Sequence, residues 1–381
     1  MRSRTLAPFL GLAFLVASCG SQVGRAGPAQ TAEAEVRNII LLLADGAGTG
    51  LWTAAEYAQE DLAVKRMPQV ALVDTRSGSH KVTDSAAGAT AYSTGRRVSN
   101  RTIAVAPECP VAQSGDSPTS QWPAGCRPLE TWFAIARDAG RATGVVTTTY
   151  VVDASPAAFV AHSPSRYWYE QIADSIASFE PDVLLGGGRQ YFESETREDG
   201  RDLLEEMCTS ARCIFTGEDL RAYEPDDRPL VGLFAPADMD DAEPRVIGLP
   251  GMVEAALGRL ERDPEGFVAF FETESTDNST HANAPLERVT AEILEFDRAV
   301  GVALDFAGRT PGTLVIAVGD HETGGLSLAE AGTDFELRYT TGGHTAAMVP
   351  LFASGPQAER FAGMLDNDQV GQMLLEIVRG W

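Results

Sequence analysis

Apolar runs rich in β-branched residues recur at 38–44, 144–152, 182–185, 267–271, 313–318 and 349–352, most of them ending at a glycine or a polar cluster. They are continuous rather than alternating, the pattern of strands buried on both faces. Between several of them the period changes. Leu286, Val289, Ile293, Phe296, Val300 and Leu304 keep one apolar face over about 285–307, the spacing of an amphipathic helix. The stretches 129–139 and 252–260 behave similarly. Strands alternating with helices predict an α/β fold, a three-layer sandwich with a largely parallel central sheet and helices on both faces. No internal repeat breaks this pattern, so 36–381 reads as one catalytic-sized domain.

The first residues read differently. Arg2 and Arg4 precede an apolar run at 6–17 that is too short to span a bilayer and suits a secretory signal. It ends in Leu15-Val16-Ala17-Ser18-Cys19-Gly20, which resembles a bacterial lipobox. The expectation is a lipoprotein signal peptide over 1–18, a lipid anchor on Cys19 and a flexible tether over 19–35, which is Gly-, Ala- and Gln-rich. Such a chain is exported and held at a bacterial membrane, as a periplasmic or cell-surface lipoprotein. Export bears on the other cysteines, Cys109, Cys126, Cys208 and Cys213, which fall into two local pairs. An oxidising compartment favours disulfides within each pair. A four-thiolate zinc site is the rival, but neither pair has CxxC-like spacing.

Composition narrows the partners. The 381 residues are 44% hydrophobic and 22% charged, too apolar for disorder. With 54 acidic against 30 basic residues the net charge is -24, which excludes binding nucleic acid as such, or docking on anionic lipid, by a basic surface. Ligands of open parallel sheets gather at the carboxyl ends of the strands. Residues that follow the apolar runs are of metal-ligating type: Asp45 after 38–44, Glu272 after 267–271 with Asp277 and His281 next, and Asp320-His321-Glu322 after 313–318. One aspartate past a strand is usually a turn residue. Several such clusters, holding His281 and His321, indicate a metal centre.

Asp45-Gly46, Thr83-Asp84-Ser85-Ala86-Ala87-Gly88-Ala89-Thr90-Ala91, Asp320-His321-Glu322 and Gly343-His344-Thr345 resemble, in that order, the motifs of alkaline phosphatases. The resemblance runs from about Asn38 to the C-terminus. It implies metal-dependent hydrolysis of small phosphate monoesters through a phosphoserine on Ser85, by two in-line displacements assisted by two zinc ions and one magnesium ion. By the same resemblance Asp277, His281 and His344 hold the first zinc, and Asp45, Asp320 and His321 the second. Asp45, Ser155 and Glu272 hold the magnesium, Asp153 reaches it through water, and Arg166 clamps phosphate. Asn278 departs from the family, standing where some relatives carry a cationic or imidazole side chain. Only 22 residues separate His321 from His344, so the large crown-like insertion of some relatives has no room. Family members are often dimeric, which makes a homodimer an expectation.

Residue chemistry supports these roles separately. Zinc takes imidazole nitrogen and carboxylate oxygen, whereas magnesium prefers oxygen and keeps water. Asp277 and His281 are four apart, a spacing that lets both reach one ion from a helical turn or a tight loop. Asp84 reads as the N-cap of a small-residue helix, with Ser85 at its positive end. The planar fork of Arg166 suits two non-bridging phosphate oxygens. Sulfatases of the same superfamily use a Cys- or Ser-x-Pro-Ser-Arg signature. Here Ser163-Pro164-Ser165-Arg166 is preceded by His162 where the nucleophile would stand, so His162, like His80, is expected to be structural. A phosphodiesterase of this superfamily is one alternative; a non-catalytic metal- or phosphate-binding lipoprotein is the other.

Overall fold

The computed structural model describes residues 35–111, 122–239 and 247–381. The expected signal, the expected Cys19 anchor and nearly all of the expected tether therefore lie outside the described residues. In chain order the strands are β1 (Asn38–Ala44), β2 (Gln69–Asp74), β3 (Ala142–Tyr150), β4 (Val183–Gly187), β5 (Arg212–Ile214), β6 (Leu230–Leu233) and β7 (Phe267–Thr273). Then come β8 (Thr313–Val318), β9 (Glu322–Thr323), β10 (Ser327–Ala331), β11 (Asp334–Arg338), β12 (His344–Thr345), β13 (Val349–Ser354) and β14 (Gly363–Asp366). Ten of them form one sheet in the order β14-β2-β13-β8-β1-β7-β3-β4-β6-β5. Only β13 runs against its neighbours, β8 and β2.

The unbroken apolar runs are explained by two cores, one on each face of the sheet. Along β1 the pleat sends Ile39, Leu41 and Leu43 to one core and Ile40, Leu42 and Ala44 to the other. The first core is closed by Ala89 and Tyr92 of the helix Ser85–Thr94, Trp132 and Phe133 of Trp132–Asp138, Phe159 of Ala154–Val160, Ile172 of Tyr169–Phe179 and Leu374 of Asn367–Arg379. The second is closed by Leu51 of Thr49–Ala58, Met252 and Ala256 of Leu249–Leu260, and the long helix Leu286–Arg309. Each fully buried Leu, Ile or Phe contributes about 1.5–3 kcal/mol, so neither layer can be lost without unfolding the sheet. The three-layer expectation is thus met.

The long helix buries the predicted stripe through Val289, Ile293, Phe296 and Val300. It also buries acids that periodicity alone would leave on the surface. Asp297 accepts from the backbone N–H groups of Ala63 (2.7 Å) and Val64 (3.0 Å), and Glu295 from that of Leu249 (3.2 Å). These carboxylates satisfy helix-start donors that have no side-chain cap of their own. Both cysteine pairs are disulfides, Cys109–Cys126 and Cys208–Cys213, which fits an oxidising compartment. Among the described residues no helix is long and apolar enough to cross a membrane.

Candidate active site

Central β1 lies between β7 and β8, and the carboxyl ends of these three strands deliver the site. Asp45 leaves β1 with 2% of its surface exposed; its N–H donates to Thr273 O at 3.0 Å. Past β8 come Asp320 and His321, both fully buried. His321 Nε2 lies 3.3 Å from Asp45 Oδ1 and 3.3 Å from Asp320 Oδ2. A single ring N–H could serve only one of these oxygens, and neither has a hydrogen-bond partner. Burial, then repulsion from Asp320, Asp277 and Glu272, pushes Asp45 well above the usual carboxylate range. Burial and the charge of Asp277 push Asp320 up to about 7. Two orphaned buried oxygens converging on an imidazole nitrogen form a donor set that a divalent cation satisfies and a proton does not.

The second set grows from the short helix Ser275–His281 that follows β7. One turn places His281 Nε2 3.2 Å from Asp277 Oδ2. A two-residue antiparallel ladder then pairs β12 with β9, His344 opposite Thr323, and brings the last histidine in. His344 Nε2 stands 3.9 Å from Asp277 Oδ1 and 3.1 Å from His281 Nε2. Both rings have their Nδ1 against a carbonyl, His281 on Gly342 O (2.7 Å) and His344 on Thr83 O (2.9 Å). A carbonyl only accepts, so each Nδ1 carries a proton, and the two Nε2 atoms and the Asp277 carboxylate converge on one shared space. Two imidazole nitrogens and a carboxylate oxygen brought together in this way, with each Nδ1 anchored on a carbonyl, are a donor set that could hold a cation. The ring of His344 stacks on His321 at 3.6 Å, so the two sets adjoin; Asp277, His321 and His344 together form one compact ligand group, Asp45, Asp320 and His321 another.

Ser85 opens its helix beside both sets. Asp84 caps the helix, its Oδ1 accepting from Ala87 N–H at 3.2 Å, and all ten helix residues are buried. The small residues have a reason: a Cβ on Gly88 would sit 3.1 Å from Asp320 O and 3.2 Å from Asp320 Cβ, so the helix rests directly on the segment that follows β8. Ser85 Oγ lies 3.3 Å from His321 Nε2. That nitrogen faces two carboxylates as well, so it is not reserved for Ser85 as the base of a serine–histidine couple would be.

A third group of oxygens lies on the β3 side. Glu272 stands opposite Leu43 of β1 and Thr147 of β3 and accepts from Thr147 Oγ1 at 2.6 Å. Burial, joined by the charges of Asp153 and Asp320, pushes its carboxyl up to about 8. Ser155 Oγ is 3.5 Å from Asp45 Oδ2. Asp153 caps the helix Ala154–Val160 by position and holds Arg166, whose Nη2 donates to its Oδ1 at 3.1 Å; Arg166 Nη1 reaches Asp84 Oδ2 at 3.4 Å. The guanidinium is thereby fixed between the N-cap of the serine helix and the third group.

Every site residue expected from sequence falls within these linked groups, and the two histidines set aside stay apart: His162 Nδ1 meets Ala104 O at 2.8 Å, and His80 Nδ1 meets Ser79 Oγ at 2.7 Å. Asn278 is exposed on the ligand helix. Sequence reasoning missed the hydroxyls and the glycine that position the candidate ligands. Thr147 orients Glu272, and Thr276 Oγ1 donates to Asp45 O at 2.6 Å. Gly46, at φ 68°, passes so close that a Cβ would lie 2.5 Å from Asp277 Oδ1. Its place directly after Asp45 was the available signal.

Acid–imidazole clusters, a helix-capped serine and an aspartate-held arginine at the carboxyl edge of a mostly parallel sheet define a metal-dependent phosphoryl hydrolase. The chain belongs to the alkaline phosphatase family, whose model, described as alkaline phosphatase, matches residues 36–337. It is 31% identical to streptomycin-6-phosphate phosphatase of Streptomyces griseus, over 94% of each chain. To alkaline phosphatase 3 of Bacillus subtilis it is 26% identical, over 91% of this chain and 89% of that one. The solved alkaline phosphatase of the Antarctic bacterium TAB5 superposes with a TM-score of 0.80 at 30% identity, covering 91% of this chain and 99% of the other. A variant of that Antarctic enzyme holds magnesium in its M3 site. The Thermus thermophilus alkaline phosphatase, at 24% identity and a TM-score of 0.79, shares the fold over 96% of this chain. As a family member the chain is a metal-dependent phosphomonoesterase.

Proposed function

We propose that the chain hydrolyses phosphate monoesters by forming and then breaking a phosphoserine on Ser85. Asp277, His281 and His344 would hold one zinc, Asp45, Asp320 and His321 a second, and Asp45, Ser155 and Glu272, with Asp153, a magnesium. When bound, these ions supply the positive charge that ionises hydroxyl groups near neutral pH and offsets the charge of the phosphoryl oxygens. The observation that carries the reading is the position of Ser85, its Oγ 3.3 Å from His321 Nε2 at the N-terminus of a buried helix.

Arg166 binds two non-bridging oxygens and aligns phosphorus with Ser85. Ser85 Oγ forms a bond to phosphorus as the bond to the ester oxygen breaks, and the departing alcohol takes up a proton. Water then attacks phosphorus from the vacated side, releasing inorganic phosphate and the serine. Because Asp84 and Asp153 hold the guanidinium before substrate arrives, little side-chain freedom remains to be lost on binding.

Only a monoester offers Arg166 two charged non-bridging oxygens that the ester chain leaves free. Kinetics of Arg166→Ala on p-nitrophenyl phosphate and on methyl p-nitrophenyl phosphate therefore separate monoesterase from diesterase. Loss of the charged pair should cost about 1.5–3 kcal/mol, a roughly 10- to 100-fold fall in kcat/KM for the monoester with a much smaller fall for the diester. Equal falls on both substrates would refute the monoesterase reading.

A further inference from the structure

We propose that Thr323 is the positioning residue that joins the two zinc-ligand sets, setting the tautomer of His321 and the orientation of Asp277 through one hydroxyl. Thr323 is completely buried. Its Oγ1 lies 2.5 Å from Asp277 Oδ1 and 3.2 Å from His321 Nδ1. An ionised carboxylate only accepts, so the hydroxyl proton points to Asp277. The oxygen then has only lone pairs left for His321, and Nδ1 must be the protonated ring nitrogen. Nε2 is thereby left bare where it faces Ser85 Oγ, Asp45 Oδ1 and Asp320 Oδ2, each at 3.3 Å.

The backbone holds this hydroxyl in place from two sides. Thr323 N–H donates to Gly46 O at 3.1 Å, beside Asp45, and Thr323 pairs with His344 across the short ladder. A Cβ on Gly46 would come within 2.8 Å of Thr323 Oγ1, so the chain leaves room for the bond at that point and no more. Asp277 serves one ligand set and His321 the other, so one small side chain couples both. The inference rests on the metal-site reading of Asp277 and His321.

Thr323→Val keeps the shape and removes the hydroxyl. Without it, Nδ1 has no acceptor, and the tautomer protonated at Nε2 gains a partner in Asp45 or Asp320. Zinc must then displace that proton, and Asp277 loses its support. Partners of this kind typically change metal affinity by about 10- to 100-fold. Zinc titration of the full chain against a competing chelator should show a loss of that size at both zinc steps in Thr323→Val, and near-normal affinity in Thr323→Ser, which keeps the hydroxyl. Unchanged binding, or a loss confined to one zinc, overturns the proposal. Nitrogen-15 NMR of the histidine rings in the metal-free wild-type chain tests it without any variant: His321 should be protonated at Nδ1, and protonation at Nε2 overturns it. A wild-type chain that takes up no zinc would instead refute the metal-site reading, while the ring spectrum still decides the role of Thr323.

Discussion

Stripping the metals should make the protein lose stability as pH rises from about 6.5 to 8, a direction fixed by the buried carboxylates. In the metal-free fold Glu272 titrates at about 8 and Asp320 at about 7, against unfolded values near ~4. An acid whose pKa is raised by folding binds more protons folded than unfolded, so its contribution is complete at low pH and is lost as pH climbs to the folded pKa. Each such group contributes a slope of about 1.4 kcal/mol per pH unit. Asp45, also raised by burial and its neighbours, steepens the fall. His281, raised to about 9 by its hydrogen bond to Asp277, acts in the same sense. His321, which burial pushes down, acts oppositely, but only below its unfolded value near ~6.5, which sets the lower edge of the window. Glu272 and Asp320 alone give a loss of about 2.5 kcal/mol between pH 6.5 and 8, or roughly 5 °C in melting temperature at ~2 °C per kcal/mol. The assay is a series of thermal melts across that range with chelator, and a matched series with zinc and magnesium. Bound cations keep the ligand carboxylates ionised and paired, so the loaded series should be nearly flat and lie above the stripped one. A stripped protein whose melting temperature is flat or rising over this range would refute the reading, because its carboxylates would not be sharing a dry site.

Gly46→Ala should combine left-handed backbone strain with a clash on Asp277 and Thr323, costing about 2–3 kcal/mol and weakening zinc binding. Gly140→Ala has a similar φ, 78°, with nothing within 4 Å of the added Cβ, and should cost only about 1 kcal/mol; equal losses in urea melts would show that strain alone is at work. For the disulfides, loop entropy predicts losses of about 3 kcal/mol for the paired Cys109→Ala and Cys126→Ala change and about 2 kcal/mol for Cys208→Ala with Cys213→Ala, from sequence separations of 17 and 5. The reverse order in urea melts would count against chain entropy as their main effect.

How much of this was legible in the sequence depends on which surfaces each segment meets. β1, β7 and β8 sit in the middle of the sheet, covered on both faces, so their side chains are apolar without interruption and their ends mark the ligands. β14 is the edge strand and β2 the next one in, and there Val70, Leu72 and Met364 stay exposed; with one face in solvent, neither carries a run buried on both sides. β3 ends at Tyr150 rather than at 152, because Asp153 N–H turns back to Tyr150 O at 2.8 Å and the apolar Val151 and Val152 are buried in the turn instead of a strand.

The site divides along the same physical line. Carboxylates and imidazoles are costly to bury without a partner, so Asp45, Glu272, Asp320 and His321 directly after apolar runs already indicate a cation. A threonine is cheap to bury and common in strands, so nothing in the letters marks Thr147 or Thr323. Their roles depend on register. Thr147 meets Glu272 because β3 and β7 pair at that step, and Thr323 meets His344 through a ladder only two residues long. A slip of one residue in either pairing would turn the hydroxyl to the opposite face, leaving every ligand in place in the sequence but without the bond that orients it. The ligand list is thus a property of composition near strand ends, whereas the tautomers and rotamers that make the list usable are properties of pairing.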